Sequence, residues 1–75
     1  MVSRDKANKF VDLANKRVNR TIKHLRLIKN LSNRKNYTFT DEQARKIVKA
    51  LQKEVDSIKQ SFQDEINDEQ NNFKL

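Results

Sequence analysis

The chain contains no glycine, no proline and no cysteine among its 75 residues. Hairpin turns and bulges in β-sheets usually need glycine, so its absence favours helices joined by few turns. Without cysteine the chain has neither disulfides nor thiolate ligands for a metal. These absences predict an all-α protein and are compatible with the cytoplasm.

Long apolar runs are missing as well. Hydrophobic residues make up 35% of the chain and charged residues 36%, and no run approaches the length of a membrane span. The segment from Met1 to Lys6 lacks the apolar stretch of a signal peptide. We therefore expect a soluble cytoplasmic protein with no membrane partner, forming one domain over residues 1–75 near the lower size limit for a self-sufficient core.

Basic residues are abundant, and they are unevenly distributed. Residues 1–37 hold eleven Lys/Arg and two acids, whereas residues 38–75 hold six Lys/Arg and eight acids. The two halves carry +9 and −2, which together give the net charge of +7. Because clustered positive charge attracts phosphates, the first half predicts a surface for a polyanion.

Two series of apolar residues recur at helical spacings of three and four. They predict one helix over residues 4–30 and a second over residues 41–69, each with an apolar stripe along one face. The first stripe consists of Phe10, Val11, Ala14, Val18, Ile22, Leu25 and Ile28. The second consists of Ala44, Ile47, Val48, Leu51, Val55, Ile58, Phe62 and Ile66.

The start of the second helix is clearly marked. Thr40 and Gln43 have the spacing of a capping box, in which each side chain accepts a hydrogen bond from the backbone amide of the other. Phe39 and Ala44 flank this box where a hydrophobic staple forms. We expect the C-terminal residues 70–75 to fray.

The loop over residues 31–40 connects the helices. Asn30, Asn33 and Asn36 are the residues best able to replace glycine wherever a positive φ angle is needed. We expect the aromatic residues at the end of the loop to fold back over Leu27 and Leu31.

Two helices of similar length and one short connection predict an antiparallel hairpin. The corresponding register places Val18 near Val55 and Phe10 near Phe62. Because a hairpin covers only part of each stripe, we expect a homodimer that forms a four-helix bundle.

The face of the first helix opposite its stripe is basic, and only Asp12 offsets its charge. The second helix instead mixes its lysines with acids. A solvated face is the simplest interpretation of a charge run, but repulsion between like charges favours a polyanionic ligand. Aromatic residues are scarce on this face, which favours duplex DNA or folded RNA over a single strand. The candidate nucleic-acid-binding residues are Lys9, Lys16, Arg20, Lys23, Arg26, Arg34 and Lys35.

A second class of function stays open. The basic surface also suits a protein–protein interaction module, such as an inhibitor or immunity-type helical bundle that docks an acidic protein partner. Such a partner would depend on one or two anchors, for example Tyr37 or Phe39.

Catalysis is not expected from this sequence. His24 is the only histidine, and no nucleophile–base pair, phosphate-binding loop or metal-ligand cluster accompanies it. We predict a non-enzymatic protein without catalytic residues, cofactor or metal.

The central segment has a recognisable pattern. Leu27-Ile-Lys-Asn-Leu-Ser-Asn-Arg34, then Tyr37, and Lys46-Ile-Val-Lys-Ala-Leu-Gln-Lys-Glu54 resemble a group of small, functionally uncharacterised bacterial proteins of plasmid, phage and chromosomal origin. Their shared pattern is LIxNLSNRxxYxY followed by a KIxxALxxE helix, and Lys29 stands where this group favours glycine. The resemblance implies no activity. It indicates that residues 31–37 act as a unit, either a particular turn or a recognition element, and local bonds from Asn and Ser favour the turn.

Overall fold

The computed structural model describes the backbone of residues 3–70 and the side chains of residues 4–66. It contains two α-helices, α1 over Ser3–Asn30 and α2 over Asp41–Gln70. Within residues 3–70 there is no strand, so the prediction of an all-α chain with two helices is confirmed. Of the tail expected to fray, residues 71–75 lie outside the described residues.

The chain divides into two compact units, Met1–Thr38 and Phe39–Leu75. We call them unit 1 and unit 2. Unit 1 consists of α1 and the turn that follows it, and unit 2 begins one residue before the cap of α2.

Helix α1 has the predicted apolar periodicity, and charged residues near its two ends stabilise the helix dipole. Asp5 lies in the first turn and Lys29 in the last, where an acid and a base respectively are favourable. Thr21 directs its hydroxyl back into the helix, donating to the carbonyl oxygen of Arg17 at 2.8 Å. The polar side chain of Thr21 is thereby satisfied locally and does not interrupt the helix.

Helix α2 begins at the predicted capping box, which is confirmed. The Thr40 backbone N–H donates to Gln43 Oε1 at 2.9 Å, and the Gln43 N–H donates to Thr40 Oγ1 at 3.0 Å. The Ala44 N–H donates to the Thr40 carbonyl at 3.1 Å and starts the helical series. Phe39 and Ala44 are both half-buried in this exposed surrounding, as a hydrophobic staple requires.

The end of α1 corrects one expectation. No residue in the described range has a positive φ angle, so the asparagines do not serve as glycine substitutes. Helix α1 ends in shorter i→i+3 bonds, with the Leu31 N–H donating to Ile28 O and the Ser32 N–H to Lys29 O, both at 3.0 Å. Such bonds tighten the last turn at ordinary negative φ, so a left-handed cap is unnecessary.

Asn33 organises the turn through its oxygens. Its Oδ1 accepts from the Lys35 N–H at 3.0 Å, and its carbonyl accepts from the N–H groups of Asn36 at 3.1 Å and Tyr37 at 3.0 Å. Ser32 Oγ also donates to the Lys29 carbonyl at 2.8 Å. These local bonds support the interpretation of the motif as a particular turn.

Most residues of the apolar stripe are exposed in each unit. Val18 in unit 1 is 55% exposed and Val55 in unit 2 is 53% exposed. Among residues 4–66 no side chain is buried. Most of the stability of a helix in a protein comes from packing of its apolar face, so both units present a surface suited to a partner.

Within unit 1, the expectation that Tyr37 folds back over the end of α1 is wrong. Leu27 is 59% exposed and Leu31 is 44% exposed, and Tyr37 itself is 48% exposed. Leu27 follows Val18 by nine residues, which is about half a revolution around the helix axis. It therefore lies on the side of α1 opposite the apolar stripe.

Candidate nucleic-acid interface

All seven candidate residues belong to unit 1. Five lie on α1, and Arg34 and Lys35 lie in the turn after it. The boundary between the units falls where the charge changes sign, since Met1–Thr38 carries +9 and Phe39–Leu75 carries −2. The site can therefore be described within one compact unit.

Four of these residues form a narrow line on α1, which we call the basic ridge: Lys9, Lys16, Arg20 and Lys23. Their spacings place them within about 60° around the helix axis, and the ridge is about 21 Å long at the helical rise. All four side chains are exposed. Arg26 is exposed as well and lies about 60° beyond Lys23 around the axis.

One ridge residue is paired with an acid. Lys16 Nζ lies 3.2 Å from Asp12 Oδ2, with the two side chains 65% and 61% exposed. Exposed pairs of this kind contribute little to stability, so a phosphate oxygen can replace the carboxylate at small cost. Among the side chains of residues 4–66, no acid lies within ion-pair distance of Lys9, Arg20 or Lys23. Most of the ridge charge is thus not neutralised by its neighbours.

The turn adds two cations beyond the C-terminal end of α1. The bond from the Lys35 N–H to Asn33 Oδ1 fixes the backbone at this point, and the side chains of Arg34 and Lys35 are exposed. Their charges extend the positive surface along the chain from the ridge into the turn.

Sequence reasoning missed an apolar element at this end of the ridge. Leu27 follows Lys23 by four residues and lies at the same angle around the helix as Lys9. Leu31 follows one turn later, and Tyr37 closes the turn. We call Leu27, Leu31 and Tyr37 the apolar end. The spacing of Leu27 from the ridge lysines was a signal that could have revealed it.

The corresponding face of α2 is balanced. Lys46 Nζ lies 3.6 Å from Glu42 Oε1. Gln52 Nε2 donates to Asp56 Oδ1 at 2.9 Å. Acids flank the lysines on this face, with Glu42 before Lys46 and Asp56 after Lys53. Among the described side chains, Lys49 and Lys53 themselves have no acid within ion-pair distance.

A shallow open groove runs along the side of α2. Residues of mixed polarity line it: Ala44, Arg45, Val48, Lys49, Gln52, Lys53 and Asp56. The groove belongs to one helix and contains both signs of charge. It offers no enclosed volume for a small ligand.

Other chemistry finds little support in the described part of the chain. No group of three or more His, Cys, Asp or Glu residues converges there to hold a metal ion, and His24 is exposed on α1. Neither helix is long and apolar enough to cross a membrane within that range.

No protein-family model, no curated protein and no solved structure matches the chain. The resemblance to small plasmid, phage and chromosomal bacterial proteins therefore stays a prediction.

Proposed function

We propose that this chain is a small nucleic-acid-associated regulatory or accessory protein. It binds the phosphate backbone of duplex DNA or folded RNA through the basic ridge, Arg26 and the turn cations. The observation that carries this proposal is the state of the ridge: Lys9, Arg20 and Lys23 have no acidic partner among the described side chains.

Repulsion among the neighbouring ridge cations favours a ligand that neutralises their charge. Arg20 stands four residues from Lys16 and three from Lys23, so these cations are neighbours on the helix surface. Like-charge neighbours at this spacing destabilise a helix by a few tenths of a kcal/mol per pair. A phosphate backbone removes this repulsion and releases counterions, which supplies most of the affinity of such contacts.

The form of the ridge favours a double-helical or folded ligand. Its cations are long side chains on a rigid helix, and no aromatic side chain lies among them to stack against successive bases. Contacts with phosphates position a protein on a nucleic acid without reading sequence. The proposed binding is therefore tolerant of sequence and sensitive to salt.

The proposal includes how the two helices pack and how two chains associate. The exposed stripes of the two units pack against each other as an antiparallel hairpin, and two chains associate as a four-helix bundle. The ridge lies opposite the stripe of α1, so this assembly leaves it accessible. A dimer then presents two ridges, and simultaneous contact raises the apparent affinity. The chain acts by binding, without catalysis or a cofactor, on nucleic acid in the cytoplasm.

Salt dependence tests this function. Binding to a labelled duplex and to a folded RNA, measured by fluorescence anisotropy between about 50 and 200 mM salt, should weaken with a slope near −0.9 for each phosphate contacted. The four ridge contacts alone predict a slope of about −4 on duplex DNA, and contacts from all seven proposed cations predict about −6. The absence of binding, or binding that ignores salt, contradicts the proposal.

A pull-down from lysate with and without nuclease addresses the alternative. Loss of captured material after nuclease supports the nucleic-acid function. Capture of a protein that survives nuclease, and that is lost when Tyr37 or Phe39 is changed to Ala, instead supports a module that docks an acidic protein.

A further inference from the structure

After the basic ridge, the next side chain on the same face of α1 is apolar. Lys23 is followed on the same face by Leu27, which is 59% exposed. Leu27 lies about half a revolution from Val18, so packing of the apolar stripe in a hairpin or a dimer leaves it uncovered. Neither the proposed assembly nor the proposed phosphate contacts account for this leucine.

The turn holds an aromatic ring beyond the same end of α1. The Tyr37 N–H donates to the Asn33 carbonyl at 3.0 Å, so the backbone that carries the ring is fixed to the turn. The Tyr37 side chain is 48% exposed. An exposed ring on an ordered backbone loses little conformational entropy when it binds a flat ligand.

Side chains near the C-terminal end of α1 match the two parts of a nucleotide. The ridge cations can pair with phosphates, and the exposed Tyr37 ring and the exposed leucines can contact a base. Bases inside a duplex are already stacked on each other, so only an unpaired base can reach such a surface. Lys35, two residues before Tyr37 in the same turn, is exposed and supplies a further cation for phosphate.

We propose that the apolar end, Leu27, Leu31 and Tyr37, receives an unpaired base of a nucleic acid whose backbone lies along the basic ridge. The preferred ligand is a stem with a loop or a single-stranded overhang. This proposal rests on the proposed function and narrows its ligand class. An RNA loop and a DNA loop present the same chemistry, and the experiment below separates them.

The chain contains its own reporter. Tyr37 is the only tyrosine and there is no tryptophan, so the intrinsic fluorescence of the unmodified protein comes from Tyr37. Four ligands are titrated with correction for absorbance: an RNA stem-loop, a DNA stem-loop, and a blunt duplex of each type with the same number of phosphates. We expect quenching by a stem-loop and none by the blunt duplexes. Quenching by only one stem-loop type supports the proposal and names the source of the base.

Variants separate stacking from folding. Tyr37→Phe keeps the ring and should keep the preference for the stem-loop over the blunt duplex, measured by anisotropy. Tyr37→Ala should reduce stem-loop affinity roughly tenfold and leave duplex affinity unchanged. Leu27→Gln should reduce the same preference by a smaller factor. Leu13→Gln changes a half-buried leucine on the same side of α1, about 21 Å before Leu27, and is the control that should leave the stem-loop preference unchanged.

The outcomes distinguish this proposal from the proposed function. In one outcome all ligands bind with the expected salt slope, but Tyr37→Ala binds the stem-loop and the duplex with the same affinities as the unmodified chain. That outcome contradicts the base site and leaves phosphate binding by the ridge supported. Equal quenching by stem-loops and blunt duplexes also overturns it. If no nucleic acid binds at all, the proposed function fails, and the base site fails with it.

Discussion

Units 1 and 2 are each built on one long helix, but their net charges have opposite signs. Each is built on one long helix, 28 residues in α1 and 30 in α2, and each presents an exposed apolar stripe. Unit 1 carries +9 and unit 2 carries −2. The similarity of the stripes suits packing between the helices, whereas the difference in charge points to an external ligand for one of them.

The two helices also differ in how many polar side chains they pair within the helix. On α2, the Gln52–Asp56 and Gln60–Asp64 hydrogen bonds and the Glu42–Lys46 ion pair all join residues four apart. On α1 the Asp12–Lys16 pair is the corresponding feature among the described side chains. Helix α2 therefore holds three of its acids in local pairs and α1 one, while among the described side chains most cations of both helices have no acid within ion-pair distance.

The largest expected effect is a loss of stability when the apolar stripe, which both units have, is disrupted. Val18→Asp and Val55→Asp each place a charge in a stripe that the proposed bundle buries, so each should cost about 3 kcal/mol or more. Urea unfolding followed by circular dichroism, with sedimentation equilibrium at tens of micromolar, should show loss of the cooperative transition and of the dimer.

Asn19→Asp is the control, because it introduces the same side chain next to Val18 but outside the stripe. It should leave folding and association nearly unchanged. A folded monomer in the unmodified chain, or equal stability of all three variants, contradicts the bundle.

The second effect is on nucleic-acid binding, which we expect to depend on the basic ridge of unit 1 and not on the lysines of unit 2. Changing Lys16, Arg20 and Lys23 together to Gln should lower the slope of the salt dependence by up to about three, since each lost phosphate contact removes about one. The matched triple Lys46, Lys49 and Lys53 to Gln removes the same charge from unit 2 and should matter much less. Helical content should not change in either. If both triples weaken binding equally, attraction is due to net charge and the ridge is not a site.

The third effect concerns the capping box, which belongs to unit 2. Thr40→Ala removes the acceptor for the Gln43 N–H and should destabilise the chain by about 1 kcal/mol, measured by urea unfolding. Thr40→Ser should retain most of the stability. Thr38→Ala, an exposed threonine just before the cap, is the control and should be nearly neutral. A neutral Thr40→Ala would show that packing alone holds the start of α2.

The smallest effect compares one ion pair in each unit. Asp12→Asn and Glu42→Gln each raise the net charge by one and each break an i,i+4 pair, so each should change stability by no more than about 0.5 kcal/mol. Only Asp12→Asn releases a ridge cation, and it alone should strengthen nucleic-acid binding, by roughly twofold. Equal strengthening by both variants would again indicate diffuse charge.

Much of the fold was predictable because it depends on contacts three and four residues apart. The stripes around Val18 and Val55 have helical spacing, and the Thr40–Gln43 box is a local reciprocal bond that the residue types nearly specify. The basic ridge was predictable for the same reason, since helical geometry converts residue number into position around the axis. The hairpin, the dimer and the ligand are not local properties, and they remain predictions.

The amino-acid sequence by itself determined two helices, the cap of α2 and the division of charge between the two units, because each follows from composition or short-range periodicity. The structure decided how α1 ends. Asparagine tolerates both a left-handed cap and a series of tight turns, and the i→i+3 bonds of Leu31 and Ser32 select the second. In the turn that follows, the Tyr37 backbone is bonded to Asn33 and its ring is 48% exposed. The position of a ring after a turn depends on several backbone angles together, which the spacing of residues along a helix does not give.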